Sequence, residues 1–213
     1  MPLHTTFATQ RRRTAGAITG MALLALLQPL ASIANTAASN ATTAQKVRFS
    51  TSEGDFVVEV YADKAPKTVE NFLQYVKEKH YDGTIFHRVI GNFMVQSGGY
   101  DAQYAEKKTR PPVVHEGREA LAKGGDKNTV YTLAMARTND PNSAASQFFI
   151  NVKNNDFLNP ALNSPGYTVF GKVIEGMAVV DKIKALPTGA GGPFASDVPK
   201  TPVVIRSAVL LAK

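Results

Sequence analysis

Short runs of mainly apolar residues, separated by polar segments, are spread over the chain from about residue 46 to its end. The runs are rich in β-branched and aromatic residues, a composition typical of strands. They predict eight strands, at 47–51, 55–61, 85–90, 93–97, 130–136, 147–152, 167–173 and 203–210. Ser52-Glu53-Gly54 separates the first two runs and predicts a hairpin turn there.

Two segments have the helical period instead. Apolar residues of the first segment recur at helical spacing at Val69, Phe72, Leu73 and Val76. This helix is expected to begin at Pro66 and to end near residue 79, and a second helix to cover 177–185, ahead of Pro187. Eight strands, two helices and few β–α alternations predict a mainly β, antiparallel fold, and the pattern leaves a barrel and a sandwich open.

The first 34 residues differ from the rest of the chain. Three arginines at 11–13 precede an apolar or small stretch over 15–27, and the small residues Ser32 and Ala34 follow at the positions that a signal peptidase reads. A basic start, an apolar stretch of about 13 residues and an A-x-A-like end are typical of a cleaved secretory signal, and the stretch is short for a membrane span. An uncleaved anchor is the alternative, and both Sec and twin-arginine export remain open. Small polar residues at 35–45 predict a flexible leader.

The charge of the chain is modest once the first 34 residues are set aside. The whole sequence has a formal net charge of +7, and loss of the three arginines with residues 1–34 leaves +4. So small and scattered an excess does not indicate nucleic-acid binding.

The sequence contains no cysteine, which excludes disulfides and thiol chemistry. His80, His115 and Glu116 lack metal-ligand spacing, so no metal site is expected.

Two short segments carry the candidate chemistry. Phe86-His87-Arg88 is followed five residues later by Phe93-Met94-Val95-Gln96, and Gln147-Phe148-Phe149-Ile150-Asn151 has the same character. A single arginine beside large apolar side chains and glutamines can hold an apolar group in a dry pocket and direct one positive donor at it. Such a set is poorly suited to hydrolysis, redox chemistry or phosphoryl transfer. His87 is expected to be a packed histidine that faces away from Arg88, rather than an acid–base catalyst.

The order and spacing of five segments resemble the cyclophilin-type peptidyl-prolyl cis-trans isomerases, in particular the exported bacterial branch. The segments are Phe86–Ile90, Phe93–Gly99, Leu133–Arg137, Ser146–Asn151 and Val169–Val173. The resemblance implies one domain over 46–213, folded as a closed eight-stranded antiparallel barrel capped by two helices. It also implies a periplasmic monomer without a cofactor, which acts on extended Pro-containing polypeptides and has no stable membrane association after signal removal.

The resemblance also assigns roles to individual residues. Arg88 is expected to be catalytic and Gln96 to orient it, while Gln147 contacts the substrate backbone. The main chain of Ala136 and Arg137 is expected to pair with an extended substrate. The proline-ring pocket is expected to consist of Phe93, Met94, Phe149 and Leu158.

Two neighbouring positions depart from the best-known eukaryotic members of the family. Phe157 and Tyr167 stand where those members carry tryptophan and histidine, which predicts weak binding of the cyclic peptide cyclosporin. Both side chains keep an apolar wall. The segment 98–128 is expected to be a long surface excursion.

Two interpretations of the pocket residues follow from the sequence. Phe93, Met94 and Phe149 could belong to the barrel core alone. Adjacent Phe148 and Phe149 must face opposite sides of a strand, and the resemblance selects Phe149 for the site.

The function expected is an isomerase that assists the folding of exported proteins. The alternative is a chaperone-like or scaffold module that binds Pro-containing segments without turnover.

Overall fold

The computed structural model describes residues 44–212. The predicted signal peptide, 1–34, and all but the end of the predicted leader lie outside the described residues. The first strand begins at Gln45, one residue before the predicted start of the domain.

The predicted mainly β, antiparallel fold is confirmed, with ten strands and three helices in the described part of the chain. The strands are β1 Gln45–Thr51, β2 Gly54–Val60, β3 Arg88–Ile90, β4 Met94–Ser97, β5 Thr132–Met135, β6 Phe148–Asn151, β7 Val169–Glu175, β8 Thr188–Gly191, β9 Phe194–Pro199 and β10 Ile205–Leu210. The helices are α1 Pro66–Lys77, α2 Gly117–Ala122 and α3 Met177–Lys184.

All eight predicted strands take part in one antiparallel sheet. Its strand order is β10-β1-β2-β7-β5-β6-β4-β3, and β8 pairs separately with β9. The predicted hairpin is present, because β1 and β2 pair from Gln45–Val60 down to Thr51–Gly54. The prediction over 85–90 was too long, since the regular strand β3 covers only its last three residues.

The barrel was predicted to be closed, but no strand pairing closes it in the described part of the chain. No strand ladder joins β3 to β10 within residues 44–212, although these two strands are the ends of the sheet. The segments ahead of them meet at an isolated bridge between Ile85 and Val204, where Phe86 N–H donates to the Val203 carbonyl over 2.9 Å. Ile205 N–H donates to the Thr84 carbonyl over 2.7 Å and Gly83 N–H to the Ile205 carbonyl over 2.8 Å, so the two ends of the sheet share a short seam of hydrogen bonds.

Both predicted helices are present, at α1 and α3. Proline occupies the first turn of α1, where no intrahelical donor is lost, and the apolar stripe of this helix is buried against the sheet. The third helix, α2, lies in the predicted surface excursion and was missed because six residues are too few to show a helical period. None of the helices in residues 44–212 has the length and apolar character needed to cross a membrane.

Buried apolar side chains form two separate clusters. The larger one, here the core cluster, contains the rings of Phe49, Phe56, Phe72, Tyr81, Phe148 and Phe170. The smaller one, here the cavity cluster, consists of Met94, Ala134, Phe149, Leu158 and Val169. Strand β6 contributes Phe148 to the first and Phe149 to the second, as the alternation of side chains along a strand requires.

Candidate active site

One cavity of about 540 Å³ opens beside the cavity cluster. All the residues proposed from the sequence line it: Arg88, Phe93, Met94, Gln96, Ala136, Arg137, Gln147, Phe149, Phe157, Leu158 and Tyr167. The structure therefore brings together side chains that lie up to 79 positions apart in the sequence.

Strand register explains how β3, β4 and β6 bring three of these side chains to the same place. Arg88 on β3 lies directly opposite Gln96 on β4, and Gln96 lies opposite Phe149 on β6. Residues that are paired across neighbouring strands project from the same face of the sheet. The arginine, the glutamine and the phenylalanine thus form a row across the sheet, from the edge of the cavity to its buried floor.

The apolar floor of the cavity is formed by side chains that are themselves buried. Met94, Phe149 and Leu158 are almost completely inaccessible to solvent, and Phe93 is partly buried against them. The Phe149 ring meets the Tyr167 ring edge to face, at 5.5 Å between centroids. A floor of this kind excludes water and accepts a compact apolar group.

Phe157 forms the exposed rim of the same wall. Its side chain is 72% exposed, and its ring stacks on Phe93 with 5.6 Å between centroids. The contact with Phe93 fixes the ring at the cavity mouth, while the opposite face of the ring is open to solvent.

Two glutamines define the polar side of the cavity. Gln96 Nε2 donates to Gln147 Oε1 over 2.9 Å, which ties β4 to the start of β6. Gly99 lies next to them, and a Cβ at this position would lie 2.5–2.7 Å from the Gln147 side chain and displace it. No hydrogen bond joins Gln96 to Arg88 among the described residues, so the orienting role of Gln96 stays a prediction that rests on their cross-strand pairing.

The Arg88 side chain is half-exposed at the cavity edge. It is 44% accessible, and its Nε lies 3.9 Å from Oδ2 of Asp197 on β9. The charged end of this side chain can therefore reach a bound molecule without first losing a buried partner.

His87 departs from its predicted placement. It precedes β3 rather than lying in a regular strand, and it lines the same cavity as Arg88. The ring packs against Tyr100 at 4.8 Å and Phe194 at 5.4 Å. Burial, with a smaller contribution from the Arg88 charge, lowers the pKa of His87 to about 4. The imidazole is neutral at neutral pH and serves as a wall, in agreement with the prediction of a packed histidine.

Arg137 supports Tyr167 at the wall of the cavity, which both side chains line. Its guanidinium carbon lies 4.5 Å from the centre of the Tyr167 ring, and its Nε and Nη2 donate to the Gly166 carbonyl over 3.1 and 2.8 Å. The side chain therefore fixes one wall. The neighbouring Ala136 N–H already donates to the Gln147 carbonyl over 3.0 Å, so a substrate strand must use other main-chain groups here.

Tyr100 and Phe194 are cavity residues that the sequence analysis missed. Phe194 comes from the β8–β9 hairpin, a segment for which no strand was predicted. The turn of this hairpin could have been predicted, because Gly191-Gly192-Pro193 contains two dipeptides typical of turns. Tyr100 lies in an irregular segment that no periodicity marks.

A second pocket of about 340 Å³ adjoins the first. The two share Gln96, Ala136, Arg137 and Gln147, and the predicted surface excursion contributes Glu106 and Thr109 to the second. A polypeptide bound in the main cavity therefore has room to extend into the second pocket.

The chemistry of the main cavity is restricted by what lines it. Among the described residues, the lining contains no serine, cysteine or carboxylate, and no group of three potential metal ligands occurs in residues 44–212. What it offers is an apolar, ring-sized floor with one guanidinium and two amides at its edge. This combination favours a change of conformation in a bound group over a bond-breaking reaction.

The family model described as "Cyclophilin type peptidyl-prolyl cis-trans isomerase/CLD" matches residues 46–210. The chain belongs to this family. A peptidyl-prolyl cis-trans isomerase of Streptomyces antibioticus is 53% identical over 168 residues, which is 78% of this chain and 98% of the relative. Peptidyl-prolyl cis-trans isomerase B of Escherichia coli is 51% identical over 164 residues, or 76% of this chain and 96% of the relative.

Solved cyclophilin structures share the fold. The crystal structure of a Cryptosporidium parvum cyclophilin-type isomerase superposes with a TM-score of 0.63 at 25% identity, and the match covers 80% of this chain and 99% of that one. The same protein, crystallised in the presence of the dipeptide Ala-Pro, gives a TM-score of 0.62 at 26% identity.

Proposed function

We propose that this cyclophilin accelerates rotation about Xaa-Pro peptide bonds and that Arg88 stabilises the twisted amide. The observation that supports the proposal best is the position of Arg88, a half-exposed guanidinium directly beside an apolar, ring-sized floor. The names of relatives at about half identity point to the same activity.

The physics of the reaction explains why an arginine is useful. Rotation of an Xaa-Pro bond has a barrier of about 18–20 kcal/mol, and the uncatalysed reaction takes tens of seconds or longer. A turnover near ~10³ s⁻¹ requires about 7 kcal/mol of selective stabilisation of the transition state. As the bond twists, amide resonance is lost and the nitrogen lone pair becomes an acceptor, which the planar ground state lacks. A donor aimed at this nitrogen binds the twisted state selectively.

The apolar cavity supplies the rest of the proposed stabilisation. A charge-assisted hydrogen bond contributes only about 1.5–3 kcal/mol. In the proposal, Met94, Phe149 and Leu158 hold the proline ring, and the amide of Gln147 contacts the backbone on the other side of the bond. Exclusion of water strengthens the Arg88 contact, and the two fixed sides favour a twisted geometry.

The alternative function is a binding module that holds Pro-containing segments without turnover. Its cavity would need the same apolar floor, but it would have no use for a donor matched to the twisted state. The presence of Arg88 at the mouth therefore favours the enzyme.

The proposed setting for this activity is the bacterial periplasm, with extended Pro-containing chains as substrates and the enzyme as a monomer. Support comes from the sequence of residues 1–34, which has the three parts of a secretory signal. Cleavage is expected after Ala34, and N-terminal sequencing of the exported protein decides it. A mature chain that still contains the apolar stretch would favour the anchor.

Arg88→Lys tests the proposed mechanism. Lysine keeps the charge but lacks the planar fork of the guanidinium, so we expect it to recover little of the catalysis. The rate of isomerisation of an Ala-Pro peptide in a protease-coupled assay measures this. Arg48→Lys, an exposed position on β1 outside the cavity, is the matched control. A fully active Arg88→Lys protein would contradict a role for the guanidinium geometry.

A further inference from the structure

The β8–β9 hairpin brings a carboxylate to the proposed catalytic arginine. Oδ2 of Asp197 on β9 lies 3.9 Å from Nε of Arg88, and both side chains are partly exposed, at 36% and 44%. Asp197 is not among the residues that line the cavity, so it approaches the arginine from outside the cavity.

The hairpin that carries Asp197 is held firmly against the cavity wall. Phe194 packs against His87 and meets Tyr100 edge to face, at 5.0 Å between centroids. Val198, next to Asp197, is buried. At the turn, Gly192 has φ +52° and lies so close to the Tyr104 ring that no side chain could replace its hydrogen. These contacts fix the position from which the carboxylate acts.

The backbone at Asp197 is unusual for a strand residue. Its φ is +66°, in the left-handed region, which aspartate and asparagine tolerate better than most residues. Non-glycine residues in this conformation are often associated with functional sites. The left-handed residue interrupts the regular alternation of β9 at the point where its side chain approaches Arg88.

We propose that Asp197 is the positioning residue for Arg88. The contact is made at Nε, which leaves the two terminal nitrogens of the guanidinium free for the bound peptide. A fixed negative charge behind Nε restricts rotation of the long side chain and keeps its terminal nitrogens over the cavity. Preorganisation of this kind lowers the cost of forming the transition-state contact. The inference rests on the proposed role of Arg88 in catalysis.

Asp197→Asn is the variant that tests this role. Asparagine has the same size and tolerates the same backbone conformation, so the fold is expected to remain, with an unchanged melting temperature as the check. Because exposed ion pairs are weak, we expect kcat/KM to fall by about twofold to fivefold, with the loss in kcat and KM nearly unchanged. A purely structural residue would not produce this division between kcat and KM.

A double-mutant cycle with Arg88→Ala separates the two proposals, with a neutral Xaa-Pro peptide as substrate. We expect Asp197→Asn to slow the enzyme that has Arg88 and to have no effect once Arg88 is alanine. Glu78→Gln, which removes the carboxylate of the exposed Arg110–Glu78 pair, is the matched control and leaves the rate unchanged. Ionic strength provides a further test, because salt screens exposed ion pairs. We expect the isomerisation rate of the wild type to fall as the salt concentration rises, and the rate of Asp197→Asn to stay constant.

The possible outcomes are distinct. If Asp197→Asn slows both backgrounds equally, or makes the enzyme faster, Asp197 does not position Arg88, while the catalytic role of Arg88 is unaffected. If Arg88→Ala itself leaves isomerisation unchanged, the proposed mechanism fails regardless of Asp197.

Discussion

The core cluster and the cavity cluster are built from the same strand and differ in what surrounds them. Phe148 lies among other rings, 5.5 Å from both Phe49 and Tyr81. Phe149, the next residue, contacts Tyr167 on one side and faces the cavity of about 540 Å³ on the other. Both side chains are buried, at 0% and 4% exposure, so burial alone does not distinguish them.

The difference shows how a small β fold can separate stability from function. In the core cluster the rings are almost completely buried and pack on one another, which favours dispersion contacts. In the cavity cluster one face of the floor is left without a partner among residues 44–212. An unpartnered apolar surface is the part of the molecule that can bind an apolar ring. Period-two alternation places the two environments on opposite sides of β6.

The largest expected effect is the loss of a core ring. Phe148→Ala leaves an enclosed void and is expected to lower the free energy of unfolding by about 3–5 kcal/mol. Phe149→Ala only enlarges a cavity that is already open, so the loss is nearer the transfer term alone, about 1.5–3 kcal/mol. Urea unfolding of both variants measures the difference. Equal losses would mean that the two clusters are not energetically distinct.

Activity should respond in the opposite order. Folded Phe148→Ala is expected to keep most of its isomerase activity, whereas Phe149→Ala loses part of the floor that we propose to hold the proline ring. Assays at a temperature at which both variants remain folded compare the two. A larger activity loss in Phe148→Ala would contradict the assignment of Phe149 to the site.

His87 connects the cavity wall to acid stability. Its folded pKa of about 4 lies below the ordinary value of 6.5, so protons bind the unfolded state more strongly. The contribution of His87 to the free energy of unfolding is fully present above pH 6.5. It is lost as the pH falls from 6.5 to 4, by on the order of 3 kcal/mol in total. His87→Phe should flatten this dependence, and unfolding at pH 7 and pH 4.5 measures it. If His87→Phe leaves the pH dependence of the free energy of unfolding unchanged, other titrating groups determine the acid stability.

The exposed rim of the cavity is where the next effect is expected. Phe157→Trp adds an indole N–H at a side chain that is 72% exposed and already stacked on Phe93. By resemblance to the eukaryotic members, this donor should improve the affinity for cyclosporin, which we predict to be weak, by about 0.5–1.5 kcal/mol, or roughly threefold to tenfold. Titration calorimetry measures the gain. Tight binding by the unaltered protein would mean that Phe157 does not correspond to that tryptophan.

The smallest effect concerns pH and catalysis. The rate on an Xaa-Pro peptide should stay nearly constant between about pH 6 and 9, because guanidinium groups remain charged and the proposed mechanism transfers no proton. His87 is neutral throughout this range. A bell-shaped or histidine-like profile would implicate His87 in the reaction.

Prediction from the sequence succeeded where a local pattern repeats. The apolar stripe of α1 and the alternation in β1 and β2 are visible in the sequence, because each has a period that packing against a single core imposes. The same alternation separates Phe148 from Phe149. The resemblance to a known family then identified which of the two faces the cavity, which the period alone does not decide.

Prediction failed where structure depends on contacts between distant segments. The β8–β9 hairpin contains a glycine-rich turn and few apolar residues, so its strands have little periodicity. It is held instead by Phe194 against His87 and Tyr100, contacts that no local pattern encodes. Asp197 was missed for the same reason, because its approach to Arg88 exists only once the hairpin is docked.

Exchange NMR on one Xaa-Pro peptide tests the central claim most directly, because it measures affinity and isomerisation in the same sample. For Arg88→Ala we expect the catalysed rate to fall by about 10²–10³-fold, as on removal of a transition-state donor, while the peptide dissociation constant changes by less than about threefold. Arg48→Ala should match the wild type in both. An unchanged isomerisation rate in a well-folded Arg88→Ala protein, or a loss of affinity as large as the loss of rate, would contradict the account.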